Sequence, residues 1–225
     1  AHLSDIAINQ LKLNTLNGTA DLTGNLNWRD GVEWNGHLAL AKMALGTYLA
    51  DFPAIISGSL NSQGKITQDK QQISVSDIDL QGSLLQRPLS LTGNLHMAEQ
   101  PLLNVQQLTF TYGDNKINAQ GNLGSVSDFT LDINAPNLSG LLTGLSASVN
   151  GKGAVTGNIM HPNLVVDLTA KQFHFRDIGL AQASIKGQLN TEQQVQGQLN
   201  AHLNGFHYND IKVNNLQLSA SGDEQ

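Results

Sequence analysis

The sequence predicts an all-β fold: a repetitive, extended and curved sheet with a solenoid-like organisation. We expect an apolar concave interior and one or two short helical corners. Three observations predict this. Apolar and polar residues alternate with period two along most of the chain, an apolar-x-Gly-x-apolar motif recurs, and charged residues are only 13% of the composition. Because successive strand side chains point to opposite faces, each segment has one aliphatic and one polar face.

The alternation is clearest at residues 89–97 and 129–133, which we expect to be half-buried strands. Within such segments the glycine motif recurs at 22–26, 34–38, 56–60, 80–84, 155–159 and 185–189. By parity each glycine lies on the apolar face, where it contributes no side chain to the packing. The repeated glycines therefore predict bends, bulges or close approach of neighbouring backbones.

A second motif, apolar-x-apolar-x-x-apolar-x-apolar, begins at Ile6, Ile73, Leu103, Ile178 and Ile211. Its extra spacer would turn the second pair of apolar side chains to the wrong face of the sheet. A bulge or corner that absorbs one residue keeps all four on the same side, so the motif predicts one such irregularity per copy.

The chain also carries a long internal repeat. Leu38, Leu40, Ile56 and Gly58 correspond to Leu131, Ile133, Val149 and Gly151, each 93 residues later. Leu80 and Gly82 match Ile185 and Gly187 at a longer offset, so two related units of different length are expected, 1–123 and 124–225. Short helical corners are predicted at the equivalent segments 43–51 and 138–145, the second with Asn137 as its N-cap.

Composition bears on the classes of partner. The net charge of −6 and the scattered positions of the 12 basic residues disfavour nucleic acid. The absence of cysteine excludes disulfides and thiolate chemistry. No apolar run approaches the roughly 20 residues of a membrane-spanning helix. Because both ends fall within strand patterns, we expect the chain to be one continuous segment of a longer repeat protein.

The sequence contains no clear catalytic motif, and strand or turn structure explains each residue pattern that superficially resembles one. The seven histidines lack the His-Glu-x-x-His spacing, and we expect them on solvent-facing strand positions. The glycine-rich run 151–157 has neither the dinucleotide nor the phosphate-loop spacing. Aspartates cluster at turn signals such as Asp30-Gly31. We therefore expect no catalytic residue, no metal site and no cofactor, and a protein that is not an enzyme.

What remains is the apolar face. The residues expected to line a hydrophobic groove are Leu22, Leu26, Leu38, Leu40, Ile56, Leu60, Leu80, Leu84, Leu91, Leu95, Phe110, Leu131, Ile133, Leu168, Ile185, Leu189, Leu199 and Leu203.

The order of these motifs resembles the TamB family and its AsmA-like relatives. A Leu-rich corner at 138–145 precedes a glycine-punctuated strand, a turn at Pro162 and another amphipathic strand, and the segments 87–95 and 178–189 fit as well. The resemblance implies an envelope protein of a diderm bacterium, anchored in the inner membrane and crossing the periplasm. It also implies a long bent sheet in the shape of a β-taco or open tube, a role in moving phospholipid to the outer membrane, and a link to the outer-membrane barrel TamA.

The leading hypothesis is a periplasmic segment of a bridge-like lipid-transfer protein, whose groove shields phospholipid acyl chains. At about 0.8 kcal/mol per buried methylene, an acyl chain of a dozen or more carbons gains on the order of 10 kcal/mol before ordering losses. Two alternatives stay open. One is a scaffold or chaperone for outer-membrane protein (autotransporter) assembly, in which a sheet edge pairs with a substrate strand. The other is a packed β-solenoid segment of an adhesin.

Overall fold

A computed structural model describes residues 4–191 and 196–223, which form fourteen β-strands and one short 3-10 helix. Contacts between residues divide the chain into two units, 1–111 and 112–225. In both, each strand lies next to the strand that follows it in the chain, and the pairing is antiparallel. The predicted all-β, repetitive sheet architecture is confirmed.

The first unit contains β1 (Asp5–Thr15), β2 (Gly18–Asn27), β3 (Val32–Ala44), β4 (Ala54–Ile66), β5 (Gln71–Leu84), β6 (Arg87–Met97) and β7 (Leu103–Tyr112), whose last residue falls in the second unit. The second contains β8 (Asn115–Leu123), β9 (Ser127–Ala135), β10 (Leu145–Asn158), β11 (His161–Phe175), β12 (Ile178–Asn190), β13 (Gln196–Tyr208) and β14 (Ile211–Asp223).

The extra residue of the second motif is absorbed as expected in β1 and β5. The register shifts between Ile8 and Leu11 against β2, and between Val75 and Ile78 against β6. In β12 the same motif is handled differently. Its pairing register with β11 and β13 is unchanged on both sides of Ala181, and the partner strands carry their own irregularities at that point. The left-handed φ angles there, 51° at Gln172 and 63° at Gly205, indicate one corner shared by three strands.

Of the two predicted helical corners, one contains a helix. Leu45–Thr47 forms a single 3-10 turn within the segment 43–51. The segment 138–145 forms two successive turns, so the helix expected there was wrong. Gly140 and Gly144, with φ angles of 81° and 78°, break the helical path in each turn. Asn137 still caps, since its Oδ1 accepts a hydrogen bond from the Ser139 backbone N–H at 3.0 Å.

The motif glycines mark places where neighbouring backbones approach closely. At Gly58 in β4 the φ angle is 128°, and an added Cβ would lie 1.9 Å from the carbonyl oxygen of Asp79. At Gly151 in β10 the φ angle is 147°, and an added Cβ would lie 2.0 Å from the carbonyl oxygen of Asp167. These two glycines are the pair related by the 93-residue offset, and both require the absence of a side chain.

Among the residues that the structure describes, a few in each unit are fully buried. In the first unit the buried apolar side chains are Met43, Ala54, Ile78, Leu84, Leu89 and Val105; in the second they are Tyr112, Ala135 and Ala147. The second unit also buries Asn115, whose Nδ2 donates to the Tyr112 carbonyl at 2.5 Å and the Asn137 carbonyl at 2.6 Å. Its Oδ1 accepts from the Asn137 N–H at 2.8 Å, so this buried amide is satisfied on both sides.

Candidate apolar binding surface

The pairing register places the aliphatic residues of the first unit on one side of its sheet. Leu11 lies opposite Leu22, which lies opposite Leu38, which lies opposite Leu60. Directly paired residues of antiparallel strands share a face, so such rows define a surface that we call the first apolar face. Its candidate residues are Leu22, Leu26, Leu38, Leu40, Ile56, Leu60, Leu80, Leu84, Leu91 and Leu95.

Phe110 belongs to the same face. An added Cβ at Gly93 of β6 would lie 2.7 Å from the Cα of Leu108, so these two residues are neighbours across the strands. On the opposite side of the sheet the Ser90 and Thr111 hydroxyls are 2.6 Å apart, which fits the same register. Phe110, two residues after Leu108, therefore points to the side that carries the leucines.

The second unit has a corresponding surface, the second apolar face. One row runs from Ile117 through Ile133, Gly151, Leu168, Ile185 and Ala201 to Leu218. The next runs from Ala119 through Leu131, Gly153, Val166, Gly187 and Leu199 to Ala220. The remaining candidates, Leu189 and Leu203, lie on the same face of β12 and β13. Neither row contains a polar or charged side chain.

Most of these side chains are neither buried nor fully solvated. Nearly all the candidates are half-buried, and Ile185, Leu189 and Leu199 are 37–39% exposed. Leu84 differs: it is completely buried and presents no surface to a ligand. The other candidates leave part of their aliphatic surface accessible, which a closed core would cover.

The second apolar face contains a recess of about 680 Å³ between β11 and β14. Its aliphatic walls are Leu164, Val166, Leu189 and Leu199, and its depth comes from residues with little or no side chain, Gly187, Gly197, Ala220 and Gly222. This volume lies within the range of small-molecule sites. Sequence reasoning identified Leu189 and Leu199 but missed Leu164 and Val166, although both continue the alternation that leads to Leu168.

The opposite side of the second unit is polar and carries a ladder of alternating charge. Asp132, Lys152, Asp167 and Lys186 are paired in turn across β9 to β12. The Lys152 ammonium lies 3.2 Å from the Asp132 carboxylate, and the Lys186 ammonium lies 3.1 Å from that of Asp167. The two faces of the sheet thus differ in chemistry, as the alternating sequence predicts, although the polar side also carries the exposed Val165.

The polar side chains in the described ranges do not assemble into a recognisable reaction centre. Within residues 4–191 and 196–223 no three His, Asp or Glu side chains converge into a set able to hold a metal ion. Histidines on the polar face have neutral partners, as where His37 Nδ1 lies 2.7 Å from Asn61 Oδ1. No helix in these same ranges has the length and apolarity needed to cross a membrane.

Comparison with known proteins gives a match over the entire chain. The model of the family described as "TamB, N-terminal domain" matches residues 1–225. A curated relative from Haemophilus influenzae, "Translocation and assembly module subunit TamB", is 40% identical over 224 residues, which cover 99% of this chain and 17% of the relative. The chain therefore spans about a sixth of that relative's length. No solved structure matches it significantly.

Proposed function

The chain belongs to the TamB family, and from that premise we propose that its apolar faces shield phospholipid acyl chains during transfer between two membranes. The observation that carries the proposal is the second apolar face. Two of its rows, those through Gly151 and Gly153, cross seven strands and contain only aliphatic residues, alanine and glycine. Such an extended, partly exposed apolar surface is unusual on a soluble domain and is typical of an interaction site.

Hydrophobic transfer supplies the driving force. Burial of apolar surface contributes about 25 cal/mol per Å², or about 0.8 kcal/mol for each methylene removed from water. An acyl chain laid along the face therefore gains on the order of 10 kcal/mol before the loss of its conformational freedom. Because the folded strands already form the surface, little free energy is needed to organise the site when lipid binds.

The composition of the rows suits movement better than tight capture. Glycines interrupt the larger residues, as where Gly153 and Gly187 flank Val166 on neighbouring strands. No hydrogen-bonding group on these rows would hold a ligand in one position, since specific orientation in a binding site requires a few fixed polar partners. We infer that the face accepts acyl chains at many overlapping positions.

For the whole protein the proposal is broader. The relative's name assigns it to a translocation and assembly module, and we propose that this chain is the corresponding segment of such a subunit. In this proposal the full-length protein is anchored in the inner membrane of a diderm bacterium, this segment lies in the periplasm, and a TamA-type barrel is its outer-membrane partner. Assembly of outer-membrane proteins would then depend on the same subunit.

A matched pair of substitutions in β9 tests the lipid-binding proposal. Leu131 lies on the second apolar face and is half-buried, whereas its neighbour Thr130 is exposed on the polar face. Leu131→Asp places a charge among the acyl chains, and Thr130→Asp adds the same charge on the opposite side of the sheet. We expect the first to reduce phospholipid that co-purifies with the full-length protein at least fivefold, as counted by native mass spectrometry, and the second to leave it unchanged.

As a control, circular dichroism and urea denaturation should show that both variants remain folded. A photoreactive residue at position 131 should crosslink phospholipid in membranes, while one at position 130 should not. Full-length protein that carries no lipid, or variants that lose lipid equally, would overturn the proposal and favour the packed solenoid. Crosslinking of position 131 to outer-membrane protein strands instead would favour the scaffold alternative.

A further inference from the structure

Two histidines face each other across a glycine on the polar side of the second unit. His174 of β11 is paired with Gly179 of β12, and Gly179 is paired in turn with His207 of β13. The two imidazole ring centroids are 6.4 Å apart, with an angle of 32° between the ring planes. Both histidines are exposed, so the space between their rings is open to solvent.

The glycine makes this arrangement possible. A Cβ added at Gly179 would lie 1.8 Å from Cε1 and 2.4 Å from Nε2 of His207. The His207 ring therefore occupies the place of the missing side chain and leans toward β11. Gly179 itself is buried beneath the rings, although its strand neighbours Ile178 and Leu180 are not. With any other residue at 179 the two imidazoles would be held apart.

We propose that His174 and His207 together bind a divalent transition-metal ion of the zinc class. Neutral imidazole nitrogen is a favoured ligand for Zn²⁺, Ni²⁺ and Cu²⁺. With metal–nitrogen bonds of about 2.0–2.1 Å, two imidazoles on one tetrahedral ion have ring centroids about 5 Å apart. To bind one ion, the two ring centroids would therefore have to approach by about 1 Å. Rotation of the side chains can provide this movement, because exposed side chains change rotamer readily.

The surroundings set the character of the site. Lys212 is paired with His207 on its far side, and Ser146 is paired with His174, so the directly paired residues carry one ammonium and one hydroxyl. No third His, Asp or Glu completes a ligand set within the described ranges. Water fills the remaining positions of the ion, and the site is an accessible, reversible one. A bound ion would tie β11 to β13 across β12 and so stabilise this part of the sheet.

Titration of the purified chain with Zn²⁺ by isothermal calorimetry tests the proposal. We expect one equivalent to bind and its affinity to fall at least tenfold in both His174→Ala and His207→Ala. The control is His202→Ala, which removes another exposed histidine of β13, one whose Nε2 lies 3.2 Å from Asn215 Oδ1. This variant should bind Zn²⁺ as the wild type does.

Gly179→Ala provides a second test that keeps both imidazoles. Its φ angle is an ordinary one, and the atoms that its Cβ meets belong to a flexible side chain, so the strand should tolerate the change. The displaced His207 ring should nevertheless weaken Zn²⁺ binding about fivefold or more. A wild-type chain that binds no Zn²⁺, or binding that survives both His174→Ala and His207→Ala, would overturn the proposal.

Discussion

Two glycines in the middle of β10, Gly151 and Gly153, lie on the same apolar face but differ in what surrounds them. Gly151 has a φ angle of 147°, and an added Cβ would lie 2.0 Å from the backbone oxygen of Asp167 on β11. Gly153 has an ordinary φ angle, and the nearest atom to its added Cβ is the Val165 backbone oxygen at 3.9 Å. Substitution of each by alanine therefore tests whether the glycine is required by its backbone conformation and close contacts, as expected at Gly151, or could be replaced by another residue, as expected at Gly153.

Gly151→Ala should cost about 2–6 kcal/mol of unfolding free energy. A non-glycine residue in so rarely populated a backbone region costs about 1–3 kcal/mol, and forcing an added methyl against a fixed backbone costs a further 1–3 kcal/mol or so. Gly153→Ala should stabilise slightly, by up to about 1 kcal/mol, because alanine loses less backbone entropy on folding and adds a methyl to the apolar face.

Urea denaturation of the purified chain, followed by far-ultraviolet circular dichroism, measures both free energies. The slopes of the two transitions should match that of the wild type, so that midpoints can be compared directly. Equal losses in the two variants, or a larger loss at Gly153, would refute the inference that close backbone approach explains the glycine motif.

Three further substitutions probe other parts of the sheet. Asn115→Ala removes the three hydrogen bonds that this buried amide makes to the backbone of Tyr112 and Asn137 and should cost about 2–4 kcal/mol in the same denaturation assay. Gly64→Ala puts a Cβ 2.2 Å from the Trp34 indole and should displace that ring, which a change in tryptophan emission measured in a Trp28→Phe background would report. Lys152→Glu sets a third carboxylate between those of two neighbouring strands; it should cost up to about 1 kcal/mol, and 1 M salt should remove most of the loss.

Period-two alternation, combined with the expected bulges, was sufficient to predict the strands and the face on which most aliphatic residues lie, because both follow largely from backbone geometry. Val165, which is paired with Ala154 and Gln188 on the polar side, is an exception. The displaced register between Ile8 and Leu11 was predictable for the same reason. The tight turn after β5 was not. Leu85 and Gln86 both have left-handed φ angles, 49° and 66°, although neither is the glycine or asparagine that usually signals such a turn. Pairing of the flanking strands overrides the local preference there.

The internal repeat shows a different limit. The 93-residue offset relates β4 to β10, whose glycines at 58 and 151 have matching environments. The 105-residue offset relates β5 to β12 and passes over β11. Because neighbouring strands are antiparallel, β5 runs antiparallel to β4, whereas β12 runs parallel to β10. Similar motifs recur because every strand has to meet the same packing requirement. Similar spacing alone therefore does not show that two strands occupy equivalent positions in a repeated unit.

The sequence was sufficient to predict the side of the sheet on which the candidate residues lie, but not how deeply each side chain is buried. Parity selected Leu84 and Leu199 alike, yet the first is completely buried and the second is 37% exposed. Burial depends on what lies above a side chain, which alternation along one strand does not encode. The proximity of His174 and His207 was likewise hidden, since it depends on the register of three strands.

The two faces of the second unit contribute unequally to the register of its strands. A slip of two residues between β10 and β11 would keep every aliphatic side chain on the apolar face, so that face alone hardly distinguishes one register from the next. The slip would, however, move Asp167 from Lys152 to Asn150 or Ala154, and it would break the close fit of Gly151 against the β11 backbone. Polar pairs and glycines therefore fix the register. The aliphatic rows need no specific partners within the fold, and this is compatible with the contact to an apolar ligand of variable length that we propose.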